Sequence, residues 1–358
     1  MLFRTQIACF FLKHFNVPAK QLTLFYLQRM TDRKKDHLDL ACQAQTQQPL
    51  TGFNYEPLFS GHPTNNGIPT LFNGQWLGAP LWISSMTGGT KEAANINRNL
   101  AQAAAEFKLG MGLGSCRPLL ESKQAWTDFD LRPIIGDGLP FFANLGIAQL
   151  EDYIDTNRFA EVNDMVAGLK ADGLIVHVNP LQEYMQPGGD RFRRPPLETI
   201  QQVLQLANCP IIVKEVGQGM GPLSLKALLE LPLLAIEFGA FGGTNFALLE
   251  LLRSDTPAQS KIDPLAMVGH TAEQMLSFVQ HWVQDATVNI KTQHLIISGG
   301  IKSYLHGYEL VQASPLPAVY AMASGFLAHA RGDYAALRTF VQSEMNGLSM
   351  ARAMLQLP

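Results

Sequence analysis

From Leu81 onward, short apolar runs alternate with stretches whose apolar positions recur at helical spacing. The runs are Leu81–Ser85, Leu109–Leu113, Phe141–Asn144, Leu174–Asn179, Ile211–Lys214, Leu234–Phe238, Leu295–Ser298 and Val319–Met322. They are largely unbroken by polar residues, as expected of strands buried on both faces of a parallel sheet. Between the first two, Ala93, Ile96, Leu100, Ala103, Ala104 and Phe107 share one helical face. Ile200, Val203 and Leu204 do the same within 199–206. Gly and Pro punctuate the joints. Eight βα units in succession predict an α/β fold, a (β/α)8 TIM barrel over 81–358 with an N-terminal extension. The long gap between the sixth and seventh runs predicts an extra loop and helix around Thr271–Trp282.

In such a barrel, chemistry sits where the strands end. Every predicted end here carries a polar or glycine-rich cluster. These include Met86-Thr87-Gly88-Gly89, Gly114-Ser115-Cys116-Arg117, Asn144-Leu145-Gly146 and His177-Val178-Asn179. Lys214-Glu215-Val216-Gly217, Gly242-Gly243-Thr244-Asn245, Ser298-Gly299-Gly300 and Ala323-Ser324-Gly325 complete the set. Any one cluster is explained by a turn; eight together point to a ligand site. The turns after strands seven and eight form the common phosphate site of this fold, with backbone N–H groups free to face an anion. A phosphorylated cofactor such as FMN is expected there, its ring near Thr87, Ser115, Asn144 and Lys214. Lys214 ends a buried apolar run, where lysine is rare; it either serves a flavin or pairs with a carboxylate such as Glu215. Alternation aims His177 and Asn179 the same way. Gln182 and Glu183 are expected on a loop over the barrel mouth, where a carboxylate can hold Mg2+ against phosphates.

Composition narrows the class. The chain has 358 residues, 47% hydrophobic and 16% charged, with a formal net charge of -3. So few charges imply a large core, an oligomer interface or both, and the balance excludes a broadly basic nucleic-acid binder. Cys9, Cys42, Cys116 and Cys209 are far apart, without the spacing of a zinc knuckle or a disulfide framework. No uncharged apolar stretch is long enough for a membrane-spanning helix. Residues 1–29 are basic and free of acid but lack a signal-peptide pattern. They are read as an upstream or targeting extension before a start at Met30. Residues 30–80 form an N-terminal segment whose cations cluster in Arg33-Lys34-Lys35-Asp36-His37; the cluster reads as a solvated helix start, or as a substrate-covering, diphosphate-binding segment if it folds over the barrel mouth.

Taken in order, these motifs resemble the type 2 isopentenyl-diphosphate delta-isomerases, an FMN-dependent barrel family. The resemblance runs from about Met30 to Leu327 and rests on Arg33-Lys34-x-x-His37, Met86-Thr87-Gly88-Gly89, Gly114-Ser115-x-Arg117 and Asn144-Leu145-Gly146. It continues through His177-x-Asn179-x-x-Gln182-Glu183, Lys214-Glu215-Val216-Gly217-x-Gly219-Met220, Gly242-Gly243-Thr244-Asn245-Phe246, Ser298-Gly299-Gly300 and Met322-Ala323. Single motifs are weak; the ordered set is specific. The chain departs from the family pattern at Cys116, at Val268-Gly269-His270-Thr271, at Lys302 and along Ala313–Pro317.

The resemblance implies a 1,3-allylic proton shift converting isopentenyl diphosphate to dimethylallyl diphosphate, with reduced FMN, NADPH as reductant and Mg2+ on the diphosphate. It assigns the diphosphate to Arg33, Lys34, His37 and Arg117, and the substrate and flavin face to His177 and Asn179. Gln182 is placed at the reacting carbons with Glu250 nearby, and Glu183 at the metal. Met86, Thr87, Gly88, Ser115, Asn144, Lys214 and Thr244 are placed at FMN, and Gly299, Gly300, Ala323 and Ser324 at its phosphate. A cytoplasmic homo-oligomer, tetramer or octamer, is expected, with no nucleic-acid or membrane partner. Two other readings stand beside it: an FMN oxidoreductase of the 2-hydroxy-acid type, and a degenerate, non-catalytic flavin barrel.

Overall fold

The computed structural model describes residues 33, 35–44, 46, 52–86, 91–253 and 263–357. Residues 1–29, Lys34, Thr87 and Gly88, all named above, lie outside the described residues. The chain divides into two compact units, Met1–Gly52 and Phe53–Pro358. The 30–80 segment is therefore split between them. In the first unit, Arg33 and residues 35–40 are helical and exposed.

The second unit holds all eight expected strands: β1 Leu81–Ile83, β2 Gly110–Gly112, β3 Phe141–Gly146, β4 Gly173–Val178, β5 Ile211–Glu215, β6 Ala235–Glu237, β7 His294–Ser298 and β8 Ala318–Met322. They close into one barrel in chain order, β8 pairing with β1, and every neighbouring pair is parallel. Closure explains the unbroken apolar runs: one face fills the barrel and the other meets the surrounding helices. Inside, Trp82 and Phe142 are fully buried and in ring contact, 5.8 Å between centroids. Gly110 leaves the space for Trp82, whose ring would lie 2.1 Å from an added Cβ.

The helical pattern holds as well. Helix Lys91–Phe107 buries Ala93, Ile96, Leu100, Ala103, Ala104 and Phe107, and helix Pro196–Leu206 buries Ile200 and Val203. The gap between β6 and β7 contains the helix Ala272–Gln284. It begins where it does because Thr271 and Gln274 form a reciprocal capping box. Among the described residues no helix is long and apolar enough to cross a membrane.

One end of the barrel is plugged. The hairpin Thr70–Phe72/Gln75–Leu77 turns at Asn73-Gly74, both at positive φ (48° and 75°), as a tight two-residue hairpin requires. It drives Phe72 against Trp82 and against His294, the first residue of β7. At the same end, buried Arg132 donates to the carbonyls of Lys170, Gly136 and Leu139 and to Asp172 Oδ2 at 2.8–3.0 Å. Asp172 also accepts the Phe141 N–H that opens β3. With the N-terminal strand ends sealed, access lies at the C-terminal ends.

Candidate active site

Strand register assembles the site. Gly146, His177, Lys214 and Glu237 are successive partners across β3, β4, β5 and β6. Partners in one row of a parallel sheet face the same side. A Cβ at Gly146 would lie 2.2 Å from Gln149 Oε1 and 2.8 Å from His177 Nε2, so glycine is what lets those side chains approach.

Above this row lies a cavity of about 370 Å3. Ser115, Arg117, His177, Asn179, Gln182 and Glu183 line it, joined by Gln149, Gln186 and Gly188–Asp190. The His177 imidazole bonds Asn144 Oδ1 through Nδ1 at 2.9 Å, while Asn144 Nδ2 donates to Leu113 O. The Asn144 amide is thus oriented with its oxygen toward the ring, which assigns the proton to Nδ1 and leaves Nε2 an acceptor. Burial, reinforced by the Lys214 charge, pushes His177 down to about 3, so it is neutral at physiological pH. Asn179 is buried, and its Oδ1 has no protein partner. Its Nδ2 donates to Gln182 Oε1 (3.2 Å) and Glu183 Oε1 (2.9 Å).

Gln182 and Glu183 sit on a helix, Pro180–Met185, rather than the expected loop. Pro180 opens that helix without forfeiting a bond, since the first N–H has no intrahelical partner. Met185 then packs with Ala247 and Ala266 in a small apolar cluster that also takes in Leu181, Leu248 and Leu251. This packing holds the helix against Phe246–Arg253, which carries Glu250. The buried Glu250 carboxylate consequently meets Gln182 Nε2 at 3.4 Å and the Arg253 guanidinium at 2.9 Å. A hydrogen-bonded line runs Glu183–Asn179–Gln182–Glu250–Arg253.

The cavity wall is fixed from outside. Glu183 Oε2 takes the Asp190 N–H at 2.8 Å, and Asp190 Oδ2 takes Gln149 Nε2 at 2.7 Å. Arg193 binds Asp152 (2.7 Å), Asp155 (3.0 Å) and, through its backbone N–H, buried Glu151 (2.9 Å). Arg117 pairs with Glu121 at 2.8 Å and lies 3.5 Å from Asp190; it is the one cation among the described residues lining the cavity.

Lys214 does not pair closely with Glu215. The Glu215 Oε2 atom accepts the N–H groups of Gly217, Gln218 and Gly219 at 2.6–2.8 Å, shaping the turn after β5. Burial pushes Glu215 up to about 7 against those bonds. Lys214 Nζ instead lies 3.9 Å from Glu237 Oε1, beyond hydrogen-bonding range. Cys116 is buried, and burial pushes its thiol up to about 12, which leaves it protonated and unreactive.

After β6 and β7 the glycine turns pack on each other. Gly242, Gly299 and Gly300 have positive φ, and an added Cβ on Gly299 would lie 2.1 Å from Ala240 O. Val268-Gly269-His270-Thr271, which departs from the family pattern, is built into the neighbouring tips. His270 N–H donates to Gln218 O, and His270 O accepts from Phe241 N–H.

No family model matches the chain. Among curated proteins, it is 37% identical over 288 residues to the isopentenyl-diphosphate delta-isomerase of Pseudescherichia vulneris, covering 77% of this chain and 79% of that one. The chain belongs to the isopentenyl-diphosphate delta-isomerase family. Within that family, it is 33% identical over 308 residues to the protein of Rickettsia peacockii (strain Rustic), covering 83% and 85% of the two chains. Solved structures share the fold of this isomerase-family chain at low identity. A flavocytochrome b2 variant with pyruvate bound superposes with a TM-score of 0.59 at 13% identity, covering 84% of this chain and 71% of that one. A mandelate oxidase with a monooxide FMN adduct gives 0.51 at 11%, covering 86% and 88%.

The resemblance read from the motifs and the barrel read from the pattern are both borne out. Ser115, Arg117, His177, Asn179, Gln182 and Glu183 meet at one cavity; Asn144, Lys214 and Glu250 touch or adjoin it. Met86 follows β1 and packs on the core, and Ala323 and Ser324 follow β8. Thr244 is exposed, its backbone oxygen against Gly217. Arg33 and His37 are in the other unit. Gln149, Asp190 and Glu237 went unnoticed in the isomerase-family sequence. Glu237 had a usable signal: an acid inside Leu234–Phe238 is as anomalous as Lys214 in its own run.

Proposed function

We propose that this chain isomerises isopentenyl diphosphate to dimethylallyl diphosphate by a 1,3-allylic proton shift that requires reduced FMN and Mg2+, with NADPH as reductant. The observation that carries the reading is the convergence of Arg117, His177, Asn179, Gln182 and Glu183 on one cavity at the open barrel end of an isopentenyl-diphosphate isomerase-family chain.

The residues present fit the two implied groups. For FMN, Gly299 and Gly300 offer side-chain-free backbone after β7, Lys214 has its ammonium beyond hydrogen-bonding range of its carboxylate, and Asn179 Oδ1 is a buried acceptor without a partner. Ser115, Asn144, Met86 and Thr244 stand at the other strand ends, with Ala323 and Ser324 beside the phosphate turn. Thr87 and Gly88 complete the set from the sequence. For Mg2+, Glu183 supplies one carboxylate facing the cavity; the ion takes its remaining ligands from water and phosphate. Reduced FMN, when bound, would supply an electron-rich surface and an exchangeable proton for the allylic shift.

The chain does the rest. An unactivated alkene is a weak base, so the proton transfer needs a dry, ordered site. Arg117 binds the diphosphate and so fixes the distant carbons. Neutral His177, its tautomer held by Asn144, accepts through Nε2 without adding a competing cation. Gln182 presents its amide to the reacting carbons, and Glu250 behind it is the buried carboxylate through which a proton can be exchanged. A 2-hydroxy-acid substrate would engage Arg117 but leave the Gln182–Glu250 pair without a task.

Exposed Leu223, Leu252, Leu265, Met267 and Val268 support a homo-oligomer; a tetramer or octamer, acting in the cytoplasm without nucleic-acid or membrane partners, is part of the same proposal. The test is anaerobic incubation with isopentenyl diphosphate, FMN, NADPH and Mg2+, with a control lacking reductant. Dimethylallyl diphosphate is expected only with reduced flavin. Flavin reduction without that product would transfer the reading to an oxidoreductase. A colourless protein with no FMN affinity would leave a non-catalytic barrel.

A further inference from the structure

We propose that Glu237 is a positioning residue that keeps the Lys214 ammonium charged and fixed at the floor of the barrel mouth. Glu237 is fully buried in β6, with 0% exposure. A carboxylate there is expensive unless paired and hydrogen-bonded, and an apolar residue of similar size is generally as stable or more so. The registered strands show that alternative: Ala235 of β6 itself and Ile296 of β7 are apolar and fully buried. Glu237 nevertheless sits where three other strands converge. Ser84, just past β1, donates its hydroxyl to Oε1, and Lys214 Nζ of β5 lies 3.9 Å from that same atom. Burial raises the Glu237 carboxyl above the usual range, opposed by the Lys214 charge and by the Ser84 and Ser298 hydroxyls. Oε2 has no partner. The arrangement anchors one oxygen under Lys214 while leaving the other unsatisfied, which a purely structural polar cluster avoids.

The surroundings of Lys214 single out Glu237. From β4 it meets His177, which is neutral. From its own strand, Glu215 has one oxygen committed to three backbone N–H groups. From β6 it meets Glu237. A buried lysine without an opposing charge gives up its proton. Glu237 is therefore the carboxylate that strand register sets opposite the Lys214 ammonium. The purpose, a lasting cation against an electron-rich cofactor, rests on the flavin reading; the effect on Lys214 does not.

The experiment is competitive labelling of lysines by trace acetic anhydride, read residue by residue by mass spectrometry on the flavin-free full chain near neutral pH. Glu237→Gln should label Lys214 at least about tenfold faster than wild type, the change expected for one pKa unit, with Lys226 and Lys302 unchanged. Glu237→Asp should restore the wild-type rate. Equal Lys214 labelling in wild type and folded Glu237→Gln overturns the proposal. If Glu237→Gln accelerates every lysine, and so has lost its fold, Ser84→Ala decides. It keeps the carboxylate but frees it, and should raise Lys214 labelling about threefold by weakening the opposing charge; no rise overturns the proposal. FMN titration of the wild type is read separately. Absence of binding removes the flavin reading, while the labelling still judges Glu237.

Discussion

The two ends of the barrel hold buried charge in opposite ways. At the plugged end, Arg132 spends its guanidinium on three carbonyls and Asp172, and the same Asp172 oxygen closes on the Phe141 N–H. At the open end, Lys214 is 3.9 Å from its carboxylate, Glu237 keeps an unpaired oxygen, and Asn179 keeps another. Burying a polar group without a partner costs free energy wherever it occurs. The Arg132 clamp has eliminated that cost for charge, although Gln75 Oε1, Trp82 Nε1 and His294 Nδ1 beside the plug lack partners, whereas the charged groups at the open end tolerate it. The completed charged network fixes the strands at one end; the proposed function assigns the incomplete charged one at the other end to a ligand.

The largest separation of the two ends should come from Gln182. Its amide stands between Asn179 and Glu250 and contributes to no strand or core contact. Gln182→Ala should lower kcat by about 10²–10⁴, the range for loss of a positioned acid–base group, with FMN affinity and melting temperature near wild type. Steady-state turnover with a flavin absorbance titration checks it. Near-normal turnover would remove Gln182 from the chemistry.

Arg132→Ala should do the reverse. Removing one partner of a buried pair strands the other, and costs about 3–5 kcal/mol in stability. Chemical denaturation would show the loss, while kcat per folded molecule stays within about twofold if the ends are independent. A matching fall in kcat would mean that the clamp reaches the site and that the contrast is wrong.

The barrel was readable because its strands are buried on both faces, so apolar runs such as Ile211–Val213 carry the signal without help from loops. The cavity was half readable. His177 and Asn179 follow from alternation, and Arg117 and Glu183 from chemistry that a turn does not need. Gln149 and Asp190 were not, because each reaches the cavity from a helix or loop whose position depends on distant anchors: the gap at Gly146 and the Arg193 bonds to Glu151, Asp152 and Asp155. The partner of Lys214 was also missed. Sequence proximity favoured Glu215, whereas strand register delivers Glu237. Registers between strands far apart in sequence are tertiary facts. The helix under Gln182 and Glu183 was read as a loop because Asn179-Pro180 signals a turn as readily as a helix start.

The open end also predicts a pH signature. Glu215 rises from the ordinary carboxylate value of 4.5 to about 7 on folding, so the folded state holds its proton more tightly than the unfolded state. The stability it contributes is full below pH 4.5 and is lost as pH rises through about 7, at a slope of at most about 1.4 kcal/mol per unit. His177 runs the other way. Lowered to about 3 from 6.5, it destabilises as pH falls through that interval. Between pH 4.5 and 6.5 the two oppose each other, and above 6.5 the His177 contribution fades while Glu215 finishes titrating near 7. Urea unfolding across pH should show Glu215→Gln losing the decline seen in wild type between about 6.5 and 8. An identical decline in the variant would assign it to another group.

The smallest effect belongs to the turn of the plug. Gly74 has φ +75°, and nothing lies within 4 Å of an added Cβ. Gly74→Ala therefore pays in backbone conformation alone, about 1 kcal/mol. The Asn73 turn residue beside it already sits at φ +48°, so the hairpin has no relaxed alternative that keeps Phe72 against Trp82 and His294. Differential scanning fluorimetry should show the melting temperature falling by about 2 °C. KM and kcat should be unchanged, since Phe72 closes the strand ends farthest from His177 and Gln182. A change beyond about twofold in either constant, from a loss this small, would show strain passing along the barrel's packed interior. The plugged end would then set the geometry of the open one, and the completed networks below would be part of the site.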